Sequence, residues 1–124
     1  MGENRIRVLI ADNHPQVRSA LRLLLQEELD VIVVGEASDL EQALELADLE
    51  EPDLMLLDWE LLAQDGATAL TGLRTTFPGL AVIALSGRPG ARRKALAAGA
   101  DAFVSKGDPP ERLLASVNNC CRRS

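Results

Sequence analysis

The chain has 124 residues, 47% of them hydrophobic, with one Trp, two Phe and no Tyr. That length suits a single domain over residues 1–124 with a sizeable core, and the core must be aliphatic. A formal charge of −6 argues against direct nucleic-acid binding, and no apolar run approaches the length of a membrane span.

The start, Met1-Gly2-Glu3-Asn4-Arg5, lacks the apolar core of a signal peptide, so a cytoplasmic protein is expected. Charge is unevenly spread: residues 1–87 carry five Lys/Arg against sixteen Asp/Glu, and residues 88–124 carry eight against three. Cys120 and Cys121 are adjacent, poorly placed to bond to each other, and remote from His14. Without a CxxC pattern they read as helix filler rather than a zinc site.

In chain order, Arg5 to Ala11 reads as a first strand that stops on Asp12-Asn13. Pro15 suits a first helical turn, where its missing N–H is no loss. Val17, Ala20, Leu21, Leu24 and Leu25 then recur at helical spacing, predicting a helix over 15–28. Val31 to Glu36 is a β-branched strand. Ser38-Asp39-Leu40-Glu41 reads as a capping box with Ser38 as cap and Glu41 reaching back. The helix it opens presents Leu40, Ala43, Leu44 and Ala47 and stops before Pro52.

Leu54-Met55-Leu56-Leu57 has no polar alternation, as expected for a central strand covered on both faces, and it ends on Asp58. A loop to Asp65-Gly66 leads to a helix with Leu70, Leu73 and Phe77 inward. Leu80 to Leu85 is a fourth strand closing on Ser86-Gly87. A breaker-rich Arg88-Pro89-Gly90 follows, then a short helix from Ala91 to Ala98 with Gly99 as its C-cap. Asp101 to Ser105 is a fifth strand, followed by Lys106. Asp108-Pro109-Pro110-Glu111 reads as a cap for a last helix with Leu113, Leu114 and Val117 inward.

Five strands alternating with five helices predict an α/β three-layer sandwich, a (βα)5 flavodoxin-like fold with parallel strand order 2-1-3-4-5. In such a sheet the C-terminal strand ends share one rim, which here collects Asp12-Asn13, Asp58, Ser86 and Lys106. One acid after a strand is often only a helix cap. Acid, acid, hydroxyl and lysine together have a chemistry: two carboxylates suit Mg2+, and a carboxylate beside Mg2+ can attack phosphorus. Lysine and serine can then hold phosphoryl oxygens.

These motifs resemble the receiver domain of bacterial two-component response regulators over essentially the whole chain. Ile10-Ala11-Asp12-Asn13-His14-Pro15 and Gly35-Glu36-Ala37-Ser38 are similar to the LuxR/NarL-type subgroup, and Ala98 to Lys106 fits the same family. The resemblance implies that Asp58 accepts a phosphoryl group from a histidine kinase or phosphotransfer protein. It implies that Asp12 and Asp58, with the backbone carbonyl of Glu60, hold Mg2+. It also makes Lys106 the phosphate-neutralising lysine, Ser86 the switch hydroxyl and Phe103 the switch aromatic. Phosphorylation would then remodel the face built by the fourth helix, fifth strand and fifth helix.

The chain departs from the family pattern in places. Asn13 stands where a second acid usually contacts Mg2+, which is expected to weaken the metal and slow phosphorylation. The loop after Asp58 lacks the usual Pro-Gly, Lys106 precedes Gly107 rather than proline, and the segment from Ser86 to Gly99 is about two residues short. That segment is basic, and Arg88, Arg92, Arg93 and Lys94 form either a solvated helix face or a docking surface for an acidic partner. Two other functions stay open: a phosphorylation-independent binding module, and an aspartyl-nucleophile phosphatase with Glu60 as second acid. A homodimer is possible, and an output domain regulating transcription would lie outside this chain.

Overall fold

The computed structural model describes residues 5–121. The side chains of residues 63 and 64 are not described. Five parallel strands form one sheet in the order β2-β1-β3-β4-β5, with β1 at Ile6–Ala11, β2 at Val31–Ala37, β3 at Leu54–Asp58, β4 at Ala81–Ser86 and β5 at Ala102–Ser105. The helices between and after them are α1 (Pro15–Glu28), α2 (Leu40–Glu50), α3 (Gly66–Thr76), α4 (Ala91–Ala97) and α5 (Pro110–Cys120). This is the expected flavodoxin-like topology. The segment read as a loop after Asp58 is instead a 3-10 helix, Trp59–Asp65.

Strand parity sorts the core into two halves. Leu9, Met55, Leu57, Val82 and Ala84 face one way, where α2, α3 and α4 cover them. Val8, Ile10, Leu54, Leu56, Ile83 and Leu85 face the other way, beneath α1 and α5. All five residues of β3 are buried, which explains its lack of polar alternation. Each large aliphatic side chain removed from water here contributes about 1.5–3 kcal/mol.

Three local expectations change. Asp39, not Ser38, is the N-cap of α2: its carboxylate accepts from the Gln42 N–H at 2.8 Å. Ser38 instead engages the Gln42 side chain, and Glu41 takes no part in that cap. Ala20 and Leu44 face solvent, and the half-buried Leu46 takes the inward place on α2. The N-cap of α5 is Pro109, which has no side-chain acceptor, while Asp108 accepts from the Ser105 N–H at 3.2 Å.

The short α4 is closed by a Schellman arrangement. Ala100 N–H donates to the Ala95 carbonyl and Gly99 N–H to that of Leu96, with Gly99 at φ +111. Its seven residues make only two turns, in keeping with the short spacing between Ser86 and Gly99. No peptide bond among the described residues is cis, including the one after Lys106.

Candidate functional site

Each strand end delivers its side chain for a local reason. The Asp12 N–H donates to the Ala37 carbonyl at 2.9 Å, which carries the β1–β2 ladder one residue past the strand. Arg18, one turn into α1, donates from Nη1 to the Asp12 carbonyl at 2.6 Å, fixing that backbone from the other side. Asp58 ends β3 with its Oδ1 accepting from the Glu60 N–H at 3.1 Å, so it also caps the 3-10 helix. Lys106 is tied to the end of β4 by its N–H, which donates to the Ser86 carbonyl at 2.9 Å.

The three polar residues of the floor are almost fully enclosed: Asp12 and Ser86 are 0% exposed and Asp58 is 1%. Buried charges persist only when paired, and here Lys106 does the pairing. Its Nζ lies 2.9 Å from Asp12 Oδ2 and 3.4 Å from Asp58 Oδ2. Both carboxylates therefore turn one oxygen to the lysine. Among the described residues no buried side-chain polar atom lacks a partner.

The two acids are not equivalent electrostatically. Burial pushes Asp12 upward, but its bonds to Lys106 and then His14 outweigh this and hold its carboxyl below the usual range. Asp58 is pushed above it by burial and then by the negative charge of Asp12, with Lys106 opposing. Burial lowers Lys106, yet the two carboxylates win and raise it. The resting arrangement is an Asp12–Lys106 ion pair beside a carboxyl whose charged form is disfavoured by burial and by Asp12.

The Ser86 side chain makes its bonds away from this pair. Its hydroxyl donates to Glu60 Oε2 at 2.7 Å and accepts from the Arg88 N–H at 3.0 Å. The sequence offers Glu60 as a backbone metal ligand and as the second acid of a phosphatase, but it does not announce the bond between its carboxylate and Ser86. His14 was missed as well. It is the N-cap of α1, its N–H donates to Asp12 Oδ1 at 2.9 Å, and its Nδ1 lies 3.0 Å from the same oxygen. The available signal was position, two residues after Asp12.

Asn13 is exposed and has no hydrogen-bond partner among the described residues. Phe103 is half-buried against the α4 side of the core. Arg88, Arg92, Arg93 and Lys94 are all exposed, with no acid paired to any of them among the described residues. Arg88 and Lys94 stand with Trp59, Glu60 and Asp65 around a cleft of about 850 Å3.

One ligand atom each from Asp12, His14 and Asp58 lie within 4.8 Å of one another. Two buried carboxylates and an imidazole so close fit a divalent cation, and they supply its negative charge from two different strand ends. Of the sequence-predicted residues, the fold thus unites Asp12, Asp58, Ser86, Glu60 and Lys106. It leaves Phe103 and the basic residues of α4 outside the carboxylate pocket.

Comparison with known proteins agrees with this geometry. The response regulator receiver domain family matches residues 8–118. The nitrate/nitrite response regulator protein NarL of Escherichia coli K12 is 36% identical over 113 residues, covering 90% of this chain and 52% of that protein. The chain thus spans about half the length of the curated relatives it matches. A two-component response regulator of the LuxR family from Aurantimonas superposes with a TM-score of 0.84 at 27% identity, over 94% of this chain and 84% of the other. A DNA-binding response regulator of the LuxR family from Staphylococcus aureus gives 0.82 at 25%, over 93% and 98%.

Proposed function

The chain belongs to the response regulator receiver domain family, and on that premise we propose that Asp58 is its phosphoacceptor, with residues 1–124 acting as one signalling domain. The observation that carries this reading is the Lys106 bridge between Asp12 Oδ2 and Asp58 Oδ2 at 2.9 and 3.4 Å. The bridge sets a cation where the oxygens of an incoming phosphoryl group would gather negative charge.

The donor would be a phosphohistidine on a histidine kinase or phosphotransfer protein. An Asp58 carboxylate oxygen bonds to phosphorus as the bond from phosphorus to the imidazole nitrogen breaks, and the departing imidazole takes up a proton. Lys106 compensates the equatorial charge, and Ser86 offers a hydroxyl to one phosphoryl oxygen once it leaves Glu60. Asp12 and Asp58, with the Glu60 carbonyl, would hold Mg2+. That ion, when bound, supplies positive charge against the phosphoryl oxygens. Asn13 brings a neutral oxygen where a carboxylate would add charge, so Mg2+ binding is weakened.

The chain is accordingly a substrate of phosphotransfer rather than an enzyme acting on a separate substrate. Among its described residues no helix is long and apolar enough to cross a membrane, and a cytoplasmic location fits a kinase donor. Movement of Ser86 and Phe103 would alter the surface formed by α4, β5 and α5, where Arg88, Arg92, Arg93 and Lys94 lie close by and would receive an acidic partner. A homodimer through that surface and control of transcription through a further domain complete the proposal. The relatives' names as transcriptional regulators support this last step.

Trp59, the only tryptophan, adjoins Asp58. Its fluorescence should respond to Mg2+ and then to beryllofluoride, and Asp58→Ala should abolish the second response. A folded wild-type chain silent to both would favour the phosphate-independent binding module, a reading that Asn13 and the Ser86–Glu60 bond favour.

A further inference from the structure

His14 is the only histidine of the chain, and phosphoryl transfer to Asp58 gives its ring no part. Pro15 at the first helical position fixes the start of α1, and His14 immediately precedes it as N-cap without a capping bond from its side chain. The ring instead turns to the carboxylate pair, with Nδ1 at 3.0 Å from Asp12 Oδ1. On a six-coordinate ion, adjacent ligands about 2.1 Å from the metal stand about 3.0 Å from one another. The Asp12–His14 contact is a hydrogen bond in which Nδ1 donates to the carboxylate, and a cation shared at the same spacing would take the place of the proton, which leaves to solvent.

Among the described residues, Asp12 Oδ1 accepts from His14 alone, through its backbone N–H at 2.9 Å as well as its ring. Lys106 binds Asp12 through Oδ2, not the oxygen that faces His14. The His14 side chain is 61% exposed, so neighbouring side chains do not lock its ring. Asp58 completes a set whose ligand atoms lie within 4.8 Å of one another. Asn13, the intervening residue, adds no charge.

We propose that His14 Nδ1 is a ligand of the divalent cation held by Asp12 and Asp58, and that this nitrogen shifts the site's preference from Mg2+ toward a first-row transition ion. The proposal rests on the reading of the carboxylate pair as a cation site. Mg2+ takes oxygen ligands and parts reluctantly with its waters, so it gains little from an imidazole and loses most where a carboxylate is missing. Cobalt, nickel and zinc ions bind imidazole well, and for them the nitrogen lone pair makes up for binding lost with the carboxylate that Asn13 replaces.

The test titrates Co2+ and Mg2+ separately into the full chain. It follows Trp59 fluorescence, visible absorption and the proton resonances of the single imidazole. Co2+ should displace or broaden the His14 ring signals. His14→Ala should weaken Co2+ by about tenfold or more, the usual scale for loss of a metal-site partner, while Mg2+ changes by less than about twofold. Asn13→Asp should narrow the gap between the two ions by strengthening Mg2+.

The proposal is overturned if Co2+ quenches Trp59 while the His14 ring signals stay put, or if His14→Ala weakens both ions equally. A near-ultraviolet thiolate-to-cobalt band, placing the ion at Cys120 and Cys121, would overturn it as well. Mg2+ binding that is lost in Asp58→Ala, with no His14-dependent gain for Co2+, sinks the ligand role alone. If neither ion gives a saturable response, the carboxylate pair is not a cation site and both readings fail.

Discussion

The Ser86 hydroxyl donates to Glu60 Oε2 at 2.7 Å, away from the carboxylate of Asp58. Ser86 is fully buried and comes from β4, whereas Glu60 is exposed and comes from the 3-10 helix after β3. This bond ties together two segments that a phosphoryl group on Asp58 would rearrange. Glu60 also sets a second negative charge beside the approach of an anionic donor.

Glu60→Ala is therefore expected to speed phosphorylation by a small donor such as acetyl phosphate. A hydrogen bond to a charged group contributes about 1.5–3 kcal/mol, and releasing even about 1 kcal/mol of barrier gives a several-fold faster reaction. Stopped-flow Trp59 fluorescence would measure it. An unchanged or slower rate would show that the bond does not restrain Ser86.

Lys106→Ala should leave Asp12 and Asp58 buried without their shared cation. Removing one partner of a buried ion pair costs about 3–5 kcal/mol, and chemical denaturation at neutral pH should show a loss of that order. The sign with pH follows from Asp58, whose carboxyl is already held above its usual range by burial and by Asp12. Without the lysine it rises further, so protonation relieves the repulsion. The deficit should be largest at neutral pH and shrink as pH falls through the raised value. A deficit independent of pH would contradict this.

Asp58→Asn should stabilise the chain at neutral pH. A carboxyl with a raised folded-state pKa contributes fully below the ordinary carboxylate range, and that contribution is lost as pH rises through the folded value. Replacing it by a neutral isostere removes the penalty, with an expected gain of about 1 kcal/mol by thermal denaturation. Asp12→Asn should do the reverse. Asp12 is held below the usual range despite burial because Lys106 and His14 outweigh it, so its contribution is present at neutral pH and lost in acid.

Gly66 is required by its neighbour rather than by its backbone angle. A Cβ placed there would sit 2.9 Å from Trp59 Cζ2. Gly66→Ala should displace the indole ring, change its emission and cost about 1–3 kcal/mol by overpacking. Unaltered Trp59 emission in this variant would show that the ring has room to move.

The sheet was legible because its signal is periodic. Leu54 to Leu57 could be assigned to a central strand, and the four polar strand ends to one rim, because parallel order fixes which ends meet. Side-chain choices at short range were not legible in the same way. Ser38 and Asp39 are adjacent and equally able to cap α2, and only the path of the backbone decides for Asp39. Leu44 and Leu46 both suit a helix, and the space beside Gly35 and Leu9 admits Leu46. The bond between Glu60 and Ser86 joins residues 26 apart in sequence, and no local spacing announces it. The approach of His14 to Asp12 depends on how the chain turns into α1, which no periodicity in the sequence announces.

The most direct test of Asp58 as phosphoacceptor is intact-mass and peptide mass spectrometry after incubation with acetyl phosphate and Mg2+. The expected result is one added phosphoryl group, located on Asp58, labile to hydroxylamine as an acyl phosphate should be, and absent from Asp58→Asn. A phosphoryl group mapped elsewhere, or equal labelling of wild type and Asp58→Asn, would contradict it.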